Sequence, residues 1–162
     1  MNPSYILRSA SPADTAAVSS VLQAAAHRLI ERGDGMWTLA VLGPDCIAPE
    51  VTAYRLALSE GVIVGVVKVQ SSDPRFWPDI AGDDSLFLHR LAVIPSFAGK
   101  GVSRVLIGCV IDEARRQGRR YVRLDCAADR PKLRAVYERA GFRHHSDVHV
   151  DGFHLSRYQH EL

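Results

Sequence analysis

The sequence predicts an α/β (α+β) protein: one mixed central sheet of about six to seven strands, flanked by helices. Three observations favour this fold class. Strand-like and helix-like segments alternate along the 162 residues. Residues 86–94 are almost all apolar, as expected of a strand in the middle of a sheet. Residues 101–117 then carry their apolar side chains on one helical face.

The remaining elements follow from local patterns. Ser11, Pro12 and Asp14 are typical of a helix start, and apolar residues recur at helical spacing from there to Ile30. The other segments are, in order, a strand over 4–8, a loop or short helix over 36–50, strands over 52–59 and 62–70, a loop over 71–84, a strand over 120–126, a helix over 131–139, and a hairpin of strands over 143–150 and 153–159.

Length and composition fit one domain over residues 1–162. The net charge of +2 argues against nucleic acid or an anionic membrane as a partner. No apolar run approaches the roughly 20 residues of a transmembrane helix, and no signal peptide is visible. Cys46, Cys109 and Cys126 fit neither a disulfide framework nor a zinc site, so a cytoplasmic location is expected.

The turn at residues 98–104 is the first feature with chemical content. It places Gly99 and Gly101 between the apolar strand and the following helix. A helix N-terminus exposes unpaired amides and a partial positive charge, and glycine lets a phosphate approach them. The turn lacks the Gly-Lys-Ser/Thr end of a Walker loop and the third glycine of the dinucleotide fingerprint. Taken alone, it fits an anion site or an ordinary strand-to-helix turn.

A second segment, residues 137–142, carries Tyr137, Glu138, Gly141 and Phe142. The two segments together resemble the GNAT superfamily of N-acetyltransferases. The turn is similar to the pattern Arg/Gln-x-x-Gly-x-Gly/Ala, and the second segment to the signature Tyr-Glu-x-x-Gly-Phe. The resemblance covers nearly the whole chain in element order. It implies a GNAT-type fold and acetyl-CoA as the acyl-donor cosubstrate.

The resemblance also implies which residues hold the coenzyme. The strand residues Leu91, Ala92 and Val93 match the backbone that pairs with the pantetheine arm. The residues that the resemblance implies for binding the pyrophosphate are Ala98, Gly99, Lys100, Gly101, Val102, Ser103 and Arg104. Three positions depart from the family pattern: Ala98 replaces Arg or Gln, Ser103 replaces a small Gly or Ala, and Arg130 replaces a common Asn. We therefore expect the backbone amides to form most of the contacts with the pyrophosphate. The side chains of Ser103, Lys100 or Arg104 would assist, and Arg130 would lie near the coenzyme.

The family's chemistry implies a general acid and a general base. Tyr137 matches the tyrosine near the coenzyme sulfur and is the candidate acid. His89 shares a strand face with Leu91 and Val93 and resembles a histidine in the proton relay of arylalkylamine acetyltransferases. It is the candidate base, with a satisfied core histidine as the alternative. Asp125 on the neighbouring strand, or an ordered water chain, could serve instead.

The acceptor is expected to be a small-molecule primary amine. Candidate substrate-binding residues are Trp37, Trp77, Asp125 and His145; the hairpin also carries His144 and His149. The histidine spacing lacks a companion Cys or Glu pattern, so no metal is expected. Two alternatives remain open: a protein N-terminal or lysine acetyltransferase, and a non-catalytic acyl-CoA-binding sensor or scaffold. The resemblance also allows a homodimer.

Overall fold

The computed structural model describes residues 4–162. The strands are β1 (Ile6–Ser9), β2 (Tyr54–Ser59), β3 (Val62–Gln70), β4 (Ser85–Val93), β5 (Tyr121–Ala127), β6 (Arg143–Val150) and β7 (Phe153–Glu161). The α-helices are α1 (Thr15–Glu31), α2 (Pro44–Ile47), α3 (Val102–Arg116) and α4 (Pro131–Arg139). Among these residues, none of the helices is long and apolar enough to span a membrane.

The strands form one seven-stranded sheet in the order β1-β2-β3-β4-β5-β7-β6. The β4–β5 pair is parallel, whereas the β1–β2, β2–β3, β5–β7 and β6–β7 pairs are antiparallel. The predicted α/β class with a mixed sheet is therefore confirmed. Contacts group residues 4–68 and 90–107 into a first compact unit, and residues 69–89 and 108–162 into a second. The single domain predicted over residues 1–162 stays a prediction.

The core of the first unit forms where the apolar face of α1 packs with the segment before β2. That segment, predicted as a loop or short helix, consists of α2 between two short 3₁₀ turns, Leu39–Leu42 and Ala48–Ala53. Each 3₁₀ turn buries one apolar side chain, Leu42 in the first and Val51 in the second, in the core with α1, β2 and β3. The central members are Val18, Leu22, Leu42, Ile47, Val51, Tyr54, Leu56 and Val66.

The start of α1 shows why the predicted helix begins where it does. The Asp14 carboxylate accepts the Ser11 backbone N–H at 2.8 Å, which satisfies one of the amides that a helix start leaves unpaired. The same carboxylate accepts two hydrogen bonds from the Arg8 guanidinium, at 2.7 and 2.8 Å. Asp14 thus ties β1 to the helix start.

Close packing of α3 in the first unit depends on Gly65 of β3. A Cβ at this position would lie 2.5 Å from Val102 Cγ1 and 3.0 Å from Leu106 Cδ1. Any larger residue would push the first turn of α3 away from β3. The glycine therefore sets the position of the helix N-terminus that follows the 98–104 turn.

In the second unit, α4 is anchored to β7 through a buried tyrosine. The Tyr158 hydroxyl donates to Glu138 Oε1 at 2.7 Å and accepts from Arg134 Nε at 2.8 Å. Gly141 ends the helix with φ +91°, and a Cβ there would approach the His160 ring to 3.1 Å. The structure thus gives Glu138 and Gly141 of the Tyr-Glu-x-x-Gly-Phe signature structural roles that do not depend on any ligand.

Candidate functional site

The 98–104 turn joins β4 to α3 within the first unit. Gly99 and Gly101 adopt φ values of +76° and +83°, and a Cβ at either would meet nothing within 4 Å. Conformation, rather than crowding, therefore selects glycine at both positions. The Lys100 carbonyl oxygen accepts a hydrogen bond from the Tyr5 hydroxyl at 2.9 Å, which fixes the middle of the turn.

The amides at the start of α3 suit an anion better than those inside the turn. Because the helix begins at Val102, the amides of Val102, Ser103 and Arg104 have no acceptor within it and form its positive end. The Lys100 amide instead donates to the Phe97 carbonyl oxygen at 3.2 Å, which makes it a weaker anion donor than the sequence suggests. Arg104 is exposed beside these amides, so its guanidinium is available to a bound anion.

The other predicted coenzyme residues fall on β4 and at the start of α4. Ala92 packs into the core of the first unit, whereas Leu91 and Val93 are half-buried on the opposite side of the strand. Ala98 is exposed and its amide donates to the Pro95 carbonyl oxygen at 3.2 Å. In the second unit, Arg130 precedes α4, and its amide donates to the Ala127 carbonyl oxygen at 3.3 Å.

Within the second unit, β4 and β5 pair over only part of their length. The parallel register runs from Ser85 to Phe87 on β4 and from Tyr121 to Arg123 on β5, although β5 extends to Ala127. His89 and Asp125 lie two residues beyond the last pair on their respective strands. Residues two apart share a strand face, so His89 lies on the face of Phe87 and Asp125 on the face of Arg123. At these positions β4 and β5 are no longer paired with each other.

Asp73, His89 and Asp125 of the second unit come together as one group, which we call the acid–imidazole cluster. Their facing nitrogen and oxygen atoms all lie within 4.8 Å of one another. His89 Nε2 is 3.3 Å from Asp73 Oδ2. These two atoms and Asp125 Oδ2 are fully buried and have no directed hydrogen bond among the described residues. Such atoms call for a polar partner, because a buried unsatisfied polar group costs about 1–3 kcal/mol.

The two carboxyls of the cluster differ in acidity. The pKa of Asp125 is raised to about 6, mainly by burial and also by the neighbouring Asp73 charge, while His89 opposes the rise. Burial also raises the pKa of Asp73, but the His89 ring and the Phe76 backbone amide outweigh it and hold that pKa below its usual value. Near neutral pH, Asp73 is therefore the fixed negative charge beside the imidazole.

Tyr137 lies on the buried face of α4, with 7% of its surface exposed. Burial, assisted by the nearby Cys126 and Asp125, raises the pKa of its phenol well above the usual range. The hydroxyl therefore keeps its proton throughout the neutral and mildly alkaline range. Burial likewise raises the pKa of the Cys126 thiol to about 11, which makes that cysteine a poor nucleophile.

Arg90 follows His89 directly and has an unusual backbone for a strand residue, with φ +48°. Its guanidinium donates to Glu50 Oε1 at 2.8 Å and to the Tyr54 hydroxyl at 3.2 Å. Lys68 Nζ holds the other Glu50 oxygen at 2.6 Å. This network within the first unit stabilises a residue that would otherwise be strained, and a left-handed residue inside a strand re-aims its neighbours.

The predicted acceptor residues have different surroundings. Trp37 is half-buried against the core of the first unit. In the second unit, Trp77 is only 1% exposed, with the His145 ring 5.2 Å away and the Arg157 guanidinium 4.5 Å from its ring centre. Burial and the neighbouring arginines lower the pKa of His145. Of the other hairpin histidines, His144 Nε2 contacts Asp147 at 2.8 Å, and His149 stacks on His154.

Asp73 is the member of the cluster that sequence reasoning missed. It lies in the segment predicted as a loop, between β3 and β4, and its nearest sequence signal is an Asp-Pro pair that indicates a turn. The turn is present: Asp73 Oδ1 accepts the Phe76 N–H at 3.1 Å, and the Asp73 carbonyl accepts the Trp77 N–H at 2.9 Å. Its second carboxylate oxygen meets His89 through a contact that no local pattern predicts.

Comparisons with known proteins agree with the fold. The sequence model of the Acetyltransferase (GNAT) family matches residues 22–142. An uncharacterized N-acetyltransferase of Bacillus subtilis, YesJ, is 26% identical over 88% of this chain and 83% of its own. A GNAT-family acetyltransferase from Listeria monocytogenes is 27% identical, with a TM-score of 0.81 over 98% of this chain and 95% of its own. The putative acetyltransferase yncA of Salmonella typhimurium, solved with acetyl-CoA, is 19% identical, with a TM-score of 0.74 over 98% and 94%.

Proposed function

Because the chain belongs to the acetyltransferase (GNAT) family, we propose that this acyltransferase moves the acetyl group of acetyl-CoA to the primary amine of a small molecule. The acid–imidazole cluster carries the proposal. An imidazole whose Nε2 is buried beside a fixed carboxylate has the chemistry needed to take a proton from an amine. Such a group has a direct use in acetyl transfer, which favours an enzyme over a sensor or scaffold module.

Acetyl-CoA would bind through its pyrophosphate at the 98–104 turn and the start of α3. The helix-end amides and the exposed Arg104 side chain support this assignment, since together they offer directed N–H groups and a positive charge. Leu91 and Val93 would face the pantetheine arm, and Arg130 would lie near it. The related Salmonella protein was solved with the same coenzyme, which supports the choice of donor.

In the proposed reaction, the acceptor nitrogen attacks the acetyl carbonyl carbon while His89 Nε2 takes a proton from that nitrogen. Asp73 holds the imidazole and stabilises the imidazolium that forms. The carbon–sulfur bond then breaks, and the departing thiolate receives the proton of the Tyr137 hydroxyl. The products are the N-acetyl amide and free coenzyme A. The His89 imidazolium then releases its proton to solvent, and the Tyr137 phenolate takes one up. Each proton transfer would contribute about 10²–10⁴-fold.

The burial of the cluster restricts the shape of the acceptor. Its three facing atoms are shielded from solvent, so the acceptor must carry its amine at the end of a narrow, unbranched chain. Trp37, Trp77, Asp125 and His145 remain the proposed acceptor contacts. A protein N-terminus or an extended lysine side chain also has this shape, which keeps protein acetylation as the second candidate.

The test is an acceptor panel followed by release of the free thiol of coenzyme A. The panel contains small primary amines, peptides with free N-termini and peptides with internal lysines. We expect turnover with at least one small amine, and a loss of about 10²–10⁴-fold in His89→Gln. The exposed His27→Gln variant serves as the control and should keep full activity. Coenzyme binding without turnover on any amine would favour the sensor module, and turnover on peptides alone would favour the protein acetyltransferase.

A further inference from the structure

The acid–imidazole cluster brings three potential metal-ligand atoms to within 4.8 Å of one another. His89 Nε2, Asp73 Oδ2 and Asp125 Oδ2 are buried and make no directed hydrogen bond within the described chain. Asp73 is only 8% exposed, and its other oxygen is already used by the Phe76 amide at 3.1 Å. One oxygen is thus held by the backbone while the second is aimed at the imidazole. Carboxylates that bind metal ions in proteins are commonly held by a hydrogen bond of this kind.

Spacing and charge favour a doubly charged metal ion as the partner. The distance of 3.3 Å between His89 Nε2 and Asp73 Oδ2 equals the edge of a tetrahedral site whose bonds are about 2 Å long. Asp125 lies within 4.8 Å of both, so a side-chain rotation can bring it to the same centre. Two carboxylates and a neutral imidazole carry two negative charges, which a divalent cation balances. A single ammonium would leave one negative charge uncompensated in a buried site.

We propose that Asp73, His89 and Asp125 bind one divalent transition-metal ion, of which Zn²⁺ is the best match. One imidazole nitrogen and two carboxylate oxygens suit zinc and its neighbours better than Mg²⁺ or Ca²⁺, which prefer all-oxygen ligand sets. Three protein ligands leave further coordination positions to water. Its ligands come from a loop and two strands, so they do not form a short zinc motif in the sequence.

The site would act as an inhibitory switch on the reaction proposed above, and this consequence rests on that proposed function. A metal ion on His89 Nε2 occupies the lone pair that would take the acceptor's proton. The loaded protein would therefore lose acetyl transfer while the 98–104 turn, in the first unit, stays free of the metal. Removal of the ion by a chelator would restore activity.

The binding test uses the full chain after chelator treatment, titrated with Co²⁺ by visible absorption and with Zn²⁺ by calorimetry. We expect one ion per chain at the cluster. Asp125→Asn and Asp73→Asn preserve side-chain shape, and each should weaken binding at least about tenfold. The stacked hairpin pair His149 and His154 is the obvious adventitious site. A His149→Ala, His154→Ala double variant should keep the tight ion.

Two results would overturn the metal site: no stoichiometric binding of either ion, or binding that survives both Asp variants and disappears in the hairpin variant. Circular dichroism of each variant guards against misfolding, and either Asp variant alone suffices if the other fails to fold. The activity assay is kept separate. If the metal binds but turnover is unaffected, the metal site stands and His89 is not the base. If the metal binds but the protein transfers no acetyl group under any condition, the metal site stands and the proposed function is wrong.

Discussion

Tyr137 is the residue whose assigned role is easiest to test. Replacing it with Phe removes the hydroxyl that would protonate the thiolate but keeps the ring that packs on Phe142. We expect turnover to fall by about 10²–10⁴-fold with coenzyme binding retained, because only proton donation is lost. Steady-state rates and calorimetric binding of coenzyme A measure the two effects. Tyr121→Phe is the matched control. Unchanged turnover of Tyr137→Phe at every pH would show that the acid is another group.

Asp14 offers a test of stability against pH. The Arg8 guanidinium and the Ser11 amide hold the pKa of its carboxyl well below the usual range. Because the folded pKa is depressed, this stabilisation is complete above the unfolded pKa of about 3.9 and is lost as the pH falls towards the folded pKa. Asp14→Ala should lower the free energy of unfolding by about 0.5–2 kcal/mol at pH 7, and the deficit should narrow below about pH 4.

Thermal unfolding across pH 2–8 would check the Asp14 prediction. The exposed Asp112, which pairs with Arg115 one helical turn away, provides the control. Asp112→Ala should change the free energy of unfolding by less than about 0.5 kcal/mol. A deficit of Asp14→Ala that stays constant down to pH 2 would mean that the side chain stabilises the helix without its charge.

The site residues that could be predicted from the sequence lie in segments with local patterns, whereas those that could not depend on contacts between residues far apart along the chain. His89 and Tyr137 lie in segments with strong local patterns, and a family resemblance fixes their neighbourhood. Asp73 is informative only when it meets His89, 16 positions away along the chain. Glu50, Lys68 and Arg90 form their network from three separate segments. Ordinary charged residues of this kind carry no periodicity, so only the folded chain brings their roles into view.

At the scale of elements, hydrophobic periodicity located the helices and strands well. Residues 131–139 and 62–70 coincide with α4 and β3, and the central strand is displaced by one residue at each end. The segment 36–50 was ambiguous because its short 3₁₀ turns have no lasting period. The incomplete pairing of β4 with β5 was not predictable at all, since both strands carry apolar patterns beyond the last paired residues.

The fit of α3 against β3 leads to a prediction at the same scale. Gly65→Ala would force a methyl group to within 2.5 Å of Val102 Cγ1 and so displace the first turn of α3. We expect a loss of about 1–3 kcal/mol in unfolding free energy, together with weaker binding of coenzyme A at the displaced helix end. Denaturant unfolding and calorimetry measure the two.

Gly108 provides the matched glycine within α3 itself. A Cβ there would meet nothing within 4 Å. Gly108→Ala should therefore stabilise the protein by about 0.5–1 kcal/mol, because alanine favours a helix interior over glycine. Coenzyme binding should be unchanged. Equal effects of the two substitutions would show that the contact between Gly65 and α3 does not set the helix position.

At the scale of the whole molecule, chain continuity argues that the two compact units unfold together. The division between them falls inside β3 after Lys68, inside β4 after His89, and inside α3 after Ile107. Neither unit can unfold without breaking two strands and a helix that also belong to the other unit, and such breaks remove cooperative backbone hydrogen bonds. The single domain over residues 1–162 is therefore a prediction that unfolding experiments can test.

We therefore expect one calorimetric unfolding transition whose van't Hoff and calorimetric enthalpies agree. Acetyl-CoA should raise the Tm of that whole transition, by an amount that grows with ligand concentration; 100-fold excess over Kd corresponds to about 2.7 kcal/mol. An Arg104→Ala variant should reduce the shift without changing the Tm of the free protein, because the side chain is exposed. Two transitions, of which the coenzyme moves only one, would instead mean that the units are separate domains and that the coenzyme binds to one of them alone.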